Sequence, residues 1–149
     1  AGKLLDPVLM RYSAAILHNI SVLRFTPLLR AGQHLQPVCT AYRQLSNSGD
    51  GVDGNEKLDG DEQEQCILRR MLIASVRNCL LNSKDLDADL SSCDLKAILD
   101  LADCVNRADL PLYLAVLLHI CQKIRPIRVN SALDGRLSAV VELLVRCVL

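Results

Sequence analysis

Cysteine and histidine are the residues of this sequence whose spacing would reveal a metal site or a nucleophile. The seven cysteines never stand closer than eleven residues, and no Cys-x-x-Cys or paired Cys-His spacing typical of zinc occurs. The three histidines are separated, and no Ser or Cys lies in a nucleophile-elbow pattern. Buried thiols in a reducing compartment account for this cysteine usage without disulfides. The sequence therefore predicts no catalytic residues, no metal, no cofactor, and a cytoplasmic or nuclear location.

Acidic side chains are concentrated in one segment. Residues 46–65 hold seven acids and one base, so sixteen bases and ten acids remain elsewhere in a chain of zero formal net charge. Glycines and acids give residues 46–63 little to pack, which predicts a flexible, acidic, Gly-rich insertion. The segment does not match a calcium-binding EF-hand loop, because Leu58 stands where a loop counted from Asp53 requires glycine.

Apolar residues recur at helical spacing through most of the chain. In residues 8–20, and again in 64–81, where Ile67 and Leu68 belong to the pattern, they return every three or four positions. No segment alternates as a strand does, and glycine and proline are sparse at seven and five. No apolar run reaches the ~18 residues that a membrane span needs, and no signal peptide is recognisable. The sequence predicts a single all-α domain, 1–149, with seven or eight helices.

A repeated pairing of a small residue with a polar one sets the layout of the chain. Three segments place alanine one helical turn before a polar residue, and these pairs are Ala15 with Asn19, Ala74 with Asn78, and Ala115 with His119. The last two pairs are 41 residues apart, and so are the first two once an 18-residue acidic insertion is removed. An apolar helix is predicted after each pair, at 35–45, 95–105 and 137–148. One such unit cannot bury its apolar face alone, so we expect the units to stack.

This layout resembles the armadillo repeat family and the related HEAT repeats, whose units contain two or three helices over about 40–47 residues. The resemblance is carried by the three pairs and by Ala31-Gly32, which follows the first of them. It implies a right-handed α-α superhelix of about three degenerate repeats. In that family, an asparagine on the last helix of each unit binds the backbone of an extended peptide, with a tryptophan one turn earlier. Here His119 replaces the third asparagine, and alanine stands at each tryptophan position.

The resemblance implies a non-catalytic protein–protein interaction module, a scaffold or adaptor that binds a partner peptide or helix on its concave surface. The residues predicted to contact the partner are a ladder of polar residues with a basic strip beside it: Asn19, Asn78, His119, Arg11, Arg70 and Arg77. Arginines in such a strip suit an acidic or phosphorylated segment.

Two alternative functions are left open by the sequence. Leu9 and Ile16 near the start, and Val140 and Leu144 near the end, predict apolar faces without a polar cap. Such faces favour a piece of a longer protein, or a structural assembly domain that docks or forms homo-oligomers through its ends. The second alternative is a helical repeat that binds RNA or another nucleic acid, which requires aromatic side chains that stack on bases. The chain has four aromatic residues, which makes this alternative the weakest: Tyr12, Phe25, Tyr42 and Tyr113.

Overall fold

The computed structural model describes residues 7–22, 35–50 and 59–148. Of these residues 88% are helical, and no strand occurs among them. The predicted all-α class is confirmed, and the described part contains eight α-helices and two short 3-10 helices. The α-helices are α1 (Pro7–Val22), α2 (Leu35–Asp50), α3 (Asp59–Asn82), α4 (Leu86–Asp89), α5 (Ser92–Leu99), α6 (Leu110–Lys123), α7 (Pro126–Ala132) and α8 (Leu137–Val148). The 3-10 helices are Asp100–Asp103 and Arg107–Asp109.

The helix boundaries differ from the sequence prediction at both edges of the acidic segment. α2 continues to Asp50 and α3 begins at Asp59, so both helices include residues that the sequence assigns to the insertion. Acids near the start of α3 favour this early beginning, because carboxylates stabilise a helix N-terminus through its macrodipole. The flexibility predicted for 51–58 and the predicted Ala31-Gly32 helix end lie outside the described residues.

The helix predicted over 95–105 is shorter in the structure. α5 ends at Leu99, and the chain tightens there into the 3-10 helix Asp100–Asp103. Tyr113 of α6 donates its hydroxyl to the carbonyls of Ile98 at 2.8 Å and Leu99 at 3.2 Å. The last carbonyls of a helix lack intrahelical partners, so this hydroxyl satisfies two of them where α5 stops.

α3 is the central helix of the fold. It packs against α1, α2 and α6, and its buried side chains include Leu72, Ile73, Val76 and Leu80. Full burial of one aliphatic side chain contributes about 1.5–3 kcal/mol, so this helix anchors the core. α5 packs against α2 and α7, while α8 packs against the 3-10 helix Asp100–Asp103. α1, α3 and α6, which carry the three small–polar pairs, are therefore neighbours in space.

Candidate interaction surface

A buried hydrogen-bonded pair joins α2 to the start of α6. Tyr42 is 1% exposed and donates its hydroxyl to Asp109 Oδ2 at 2.6 Å. The same hydroxyl accepts the backbone N–H of Asn106 at 2.9 Å. Burial, together with the hydrogen bond to the Asp109 carboxylate, raises the pKa of Tyr42, so its hydroxyl remains protonated as a donor. Asp109 occupies the N-cap position of α6 without a side-chain cap hydrogen bond, since its carboxylate meets Tyr42 instead.

A second buried carboxylate joins α5 to the start of α2. Asp94 is 1% exposed, and its Oδ1 accepts the backbone N–H of Gln36 at 3.0 Å. Its own backbone N–H is donated to Ser91 Oγ at 3.1 Å, which makes Ser91 the N-cap of α5. The first N–H groups of a helix have no intrahelical acceptors, so Asp94 satisfies one of them in α2. These two buried contacts fix α2 against α5 and against the start of α6.

α1 places two of the predicted binding residues beside α3. Arg11 binds the carboxylate of Glu64 on α3 through a hydrogen-bonded ion pair. Asn19 is exposed, and Ala15 one turn before it is half-buried. Arg11, Ala15 and Asn19 follow one another every four residues, so they lie along one side of α1.

Arg70 of α3 reaches the segment that precedes α6. Its side chain is 57% exposed, and one guanidinium nitrogen donates to the carbonyl of Ala108 at 3.3 Å. Its Nε lies 3.8 Å from Asp109 Oδ1, which is within ion-pair distance but too long for a hydrogen bond. Arg70 thus joins α3 to the start of α6 while most of its side chain remains in water.

Arg77 and Asn78 lie further along α3. Arg77 donates to Asn78 Oδ1 at 3.4 Å, and no carboxylate among the described residues forms an ion pair with it. The Arg77 Nε is buried without a hydrogen-bond partner. Asn78 is half-buried, and Ala74 one turn earlier is buried.

α6 contributes the third member of the predicted ladder. His119 is half-buried, and within the described residues its Nε2 has no hydrogen-bond partner. Ala115, one turn earlier, is exposed. The three ladder positions are therefore unequal in exposure: Asn19 reaches solvent, whereas Asn78 and His119 are partly covered.

α1 and α6 both pack against α3, and we group the solvent sides of these three helices as one candidate surface. α3 lies between the other two helices, and the Arg11–Glu64 pair and the Arg70–Ala108 contact join them on this side. We call this surface the ladder face and define it by Arg11, Asn19, Glu64, Ile67, Arg70, Arg77, Asn78, Leu81, Ala115, Leu118 and His119. The structure brings all six predicted binding residues to the helices that build it.

Three large aliphatic residues on the ladder face are absent from the predicted site. Ile67, Leu81 and Leu118 are 59%, 54% and 59% exposed. Helical periodicity includes Ile67 in the apolar pattern of α3 but does not indicate whether it is covered, because aliphatic residues occupy more than one side of α3. The signal that identifies these residues is their position: Ile67 and Leu81 share the side of α3 that carries Arg70.

α8 presents a second apolar surface. Val140 and Leu143 are buried, so the predicted exposure of Val140 is wrong: it belongs to the side of α8 that packs against the fold. On another side, aliphatic side chains that are 42% to 85% exposed recur every three or four residues. We call them the α8 stripe: Leu137, Val141, Leu144, Val145 and Val148. On α1, Leu9 and Ile16 are exposed, as expected.

All seven cysteines are free thiols, and Cys39 and Cys104 approach each other in the interior. Burial is the main cause that raises the pKa of Cys39 to about 12 and the pKa values of Cys79 and Cys104 to about 11. These thiols are protonated at neutral pH, and a protonated thiol is a poor nucleophile. Across 7–22, 35–50 and 59–148, no three His, Cys, Asp or Glu side chains are grouped so that they hold a metal ion.

Two open grooves flank α5. One, of about 240 Å³, lies between α2 and α5, and the other, of about 330 Å³, lies between α5 and α7. Lys96 lines both grooves and lies 3.9 Å from Asp100, while Arg43 in the first groove lies 3.1 Å from Asp103. Their charges are therefore matched within the chain. Neither lining includes a histidine that can act as a general base.

The fold and its surfaces define an all-helical protein with exposed apolar and basic faces. Comparison with protein-family models, with curated proteins and with solved structures finds no match to this chain. The armadillo/HEAT resemblance therefore stays a prediction from the sequence. In the described part of the chain, no helix combines the length and the apolar character needed to cross a membrane.

Proposed function

We propose that this chain is a non-catalytic protein–protein interaction module, a scaffold or adaptor of the armadillo/HEAT type that binds its partner on the ladder face. The observation that carries the proposal is the exposure of Ile67, Leu81 and Leu118 on two adjacent helices. Leaving one such side chain in water loses the stabilisation of about 1.5–3 kcal/mol that its full burial would contribute. An exposed apolar patch with polar groups around it is typical of a protein interaction site.

The contacts between helices support a superhelical stack. α1, α3 and α6 form one row, and α2 and α5 contact each other in a second row. Arg11 meets Glu64 near the starts of α1 and α3, and Arg70 meets Ala108 near the start of α6. Similar contacts from unit to unit are what stacked repeats require. We therefore propose a right-handed α-α superhelix with the ladder face on its concave side.

The predicted binding residues have distinct parts in this proposal. The three arginines offer charge to the partner, and Asn19, Asn78 and His119 lie beside them as polar groups. All seven cysteines are free, which supports a reducing compartment, the cytoplasm or the nucleus. The nucleic-acid alternative is disfavoured, because Tyr42 and Tyr113 are buried and cannot stack on bases.

The α8 stripe favours a second candidate function, a structural assembly domain. Its five aliphatic side chains are not interrupted by a charge on that side of the helix. In this alternative the occupant is a second copy of the chain, and two stripes pack against each other. Such an interface is small, and interfaces that bury less than about 1,000 Å² in total are generally weak or transient.

Two matched substitutions distinguish the candidates. Leu118→Glu places a charge on the ladder face, and Val148→Glu makes a corresponding change on the α8 stripe. Proteins captured from extracts of cells that express the chain should be lost with Leu118→Glu and retained with Val148→Glu. The reverse pattern, with a dimer in light scattering that Val148→Glu abolishes, would favour the assembly domain. Capture that neither substitution changes would contradict both candidates.

A further inference from the structure

The ladder face combines an apolar track with positive charge. Ile67 and Leu81 of α3 are fourteen residues apart, which is a rise of about 21 Å along the helix axis. Leu118 lies on the neighbouring helix α6. Arg70 and Arg77 stand between Ile67 and Leu81 on the same side of α3, because residues at i+3 and i+10 share a helix face. A partner that covers the track must therefore pass both guanidinium groups.

The chain's own acids neutralise this positive charge only in part. Glu64 of the ladder face is already bound to Arg11. Arg70 approaches the buried carboxylate of Asp109 at 3.8 Å, yet its side chain remains 57% exposed. Arg77 forms no ion pair with a described residue, and the hydrogen bond from its guanidinium to Asn78 Oδ1 is long, at 3.4 Å. A guanidinium with unused donors forms strong, charge-assisted hydrogen bonds with a carboxylate.

We infer that the partner segment is an acidic amphipathic helix. Its apolar side, with anchors that recur every three or four residues from i to about i+14, contacts Ile67, Leu81 and Leu118, while its carboxylates face the guanidinium groups of Arg70 and Arg77. The track of about 21 Å corresponds to about four turns of such a helix. The inference rests on the proposed function, because it names the class of partner for the same face.

An extended peptide fits the ladder face less well than a helix. Recognition of an extended backbone requires amide side chains that reach the peptide from successive units. Asn78 is half-buried, with Arg77 at 3.4 Å from its Oδ1, and His119 is half-buried on α6. Asn19 is the exposed member of this set. The polar ladder is therefore covered in part, whereas Ile67, Leu81 and Leu118 are each more than half exposed, with the buried Ala74 between the first two.

The test uses a displayed library of helical peptides with randomised charged and apolar positions, selected against the whole chain. The expected enriched sequences carry Asp and Glu beside an apolar i, i+4, i+7 pattern that continues to about i+14. A synthetic peptide of the enriched sequence should lose about tenfold or more in affinity with Leu118→Glu and with Arg77→Glu. Its affinity should also fall when NaCl rises from ~0.05 M to ~0.3 M, because exposed charges are screened.

Arg146→Glu is the matched control, since it reverses a charge on α8, away from the ladder face, and should leave the affinity unchanged. Arg77→Gln removes the charge without introducing an acid, and its thermal unfolding shows whether the fold tolerates the loss. A peptide with Lys in place of its Glu residues should bind the Arg77→Glu variant better than it binds the wild-type chain.

The outcomes separate this inference from the proposed function. Enriched peptides without acidic bias that are sensitive to Leu118→Glu but not to Arg77→Glu would overturn the acidic partner and leave the ladder face as the docking surface. Peptides that Leu118→Glu does not affect, or a selection without enrichment, would overturn both.

Discussion

Two groups of polar side chains lie in opposite environments although they are neighbours in the fold. Tyr42 and Asp109 are each 1% exposed and form a hydrogen bond across 67 residues of sequence. Arg70 approaches the same carboxylate of Asp109, yet more than half of its side chain is in water. The buried carboxylate of Asp109 therefore contacts an interior residue, Tyr42, and an exposed residue of the ladder face, Arg70.

The two groups differ in whether water can replace a hydrogen-bond partner that is lost. When a buried donor or acceptor loses its partner, water does not replace that partner, and the desolvation cost of about 1–3 kcal/mol remains. At the exposed positions of the ladder face, such as Arg70, water solvates a group that loses a contact. Interior polar residues are therefore expected to determine stability, and ladder-face residues are expected to determine binding.

The largest expected effect is at Tyr113. Its side chain is fully buried and donates to the carbonyls at the end of α5, so Tyr113→Ala creates a cavity and leaves those carbonyls without this donor. We expect the free energy of unfolding to fall by about 3–5 kcal/mol, as is typical of a buried aromatic residue replaced by alanine. Urea denaturation followed by circular dichroism measures the loss.

Tyr12→Ala is the control for this substitution, because Tyr12 is 61% exposed on α1 and loses the same atoms. Its effect should stay within about 0.5 kcal/mol. If both variants lost equal stability, the contrast between interior and surface would be wrong.

A smaller effect is expected for Tyr42→Phe. The substitution removes only the hydroxyl that donates to Asp109 and accepts from the Asn106 backbone. The carboxylate of Asp109 stays buried with one hydrogen bond fewer, so we expect a loss of about 1–3 kcal/mol in the free energy of unfolding. Tyr12→Phe removes an exposed hydroxyl and should leave the urea midpoint unchanged. A neutral Tyr42→Phe would mean that the buried pair does not stabilise the junction of α2 with α6.

Asp87 is intermediate between the interior and the exposed polar residues, because it is half-buried. Its Oδ1 accepts the backbone N–H of Arg125 at 3.2 Å, and its carboxylate forms ion pairs with Arg125 and Arg128. The Arg125 N–H is the main cause that lowers the pKa of Asp87 below its ordinary value of 3.8. The stability that it contributes is thus complete above about pH 3.8 and is lost as the pH falls through the folded-state pKa.

We therefore expect the Asp87→Asn variant to be less stable than the wild-type chain at neutral pH and to lose less stability on acidification below about pH 3.8. Urea unfolding across a pH series measures both slopes. Asp134→Asn, an exposed site in the loop before α8, should keep the wild-type slope. Parallel slopes for wild-type and Asp87→Asn would show that the contacts between Asp87 and α7 do not stabilise the fold.

Local patterns in the sequence predict the part of this fold that depends on short-range contacts. Ser91 is recognisable as a helix start because an N-cap hydroxyl needs only the backbone three residues later. The apolar periodicity likewise predicts the helices themselves. It does not predict which of two apolar sides of a helix is covered, so Val140 is assigned to the wrong environment, and the exposure of Ile67 is not foreseen. That choice depends on the neighbours that the fold brings to each helix.

Contacts between distant segments are beyond the reach of sequence spacing. Nothing near Tyr42 in the sequence indicates that its hydroxyl meets Asp109, because the pairing depends on how α2 lies against α6. The candidate site likewise has one part that the sequence predicts and one part that depends on the fold. The arginines are recognisable from their helices, whereas the exposed aliphatic track beside them emerges only once α3 is packed on three sides.

The double variant Asn78→Ala with Arg77→Glu should have the smallest effect on stability. Its main effect should be on binding. Arg77 has no ion pair with a described residue, and its hydrogen bond to Asn78 Oδ1 is long, at 3.4 Å, so the double variant removes both members of that contact. We expect the free energy of unfolding to change by about 0.5 kcal/mol or less. The affinity for the ladder-face partner should nevertheless fall, because the reversed charge repels the partner's carboxylates. Calorimetry of unfolding and of binding on one sample separates the two effects, with Arg146→Glu as the matched charge reversal. A large loss of stability with the affinity intact would place Asn78 and Arg77 with Tyr42 among the interior residues and would remove them from the ladder face.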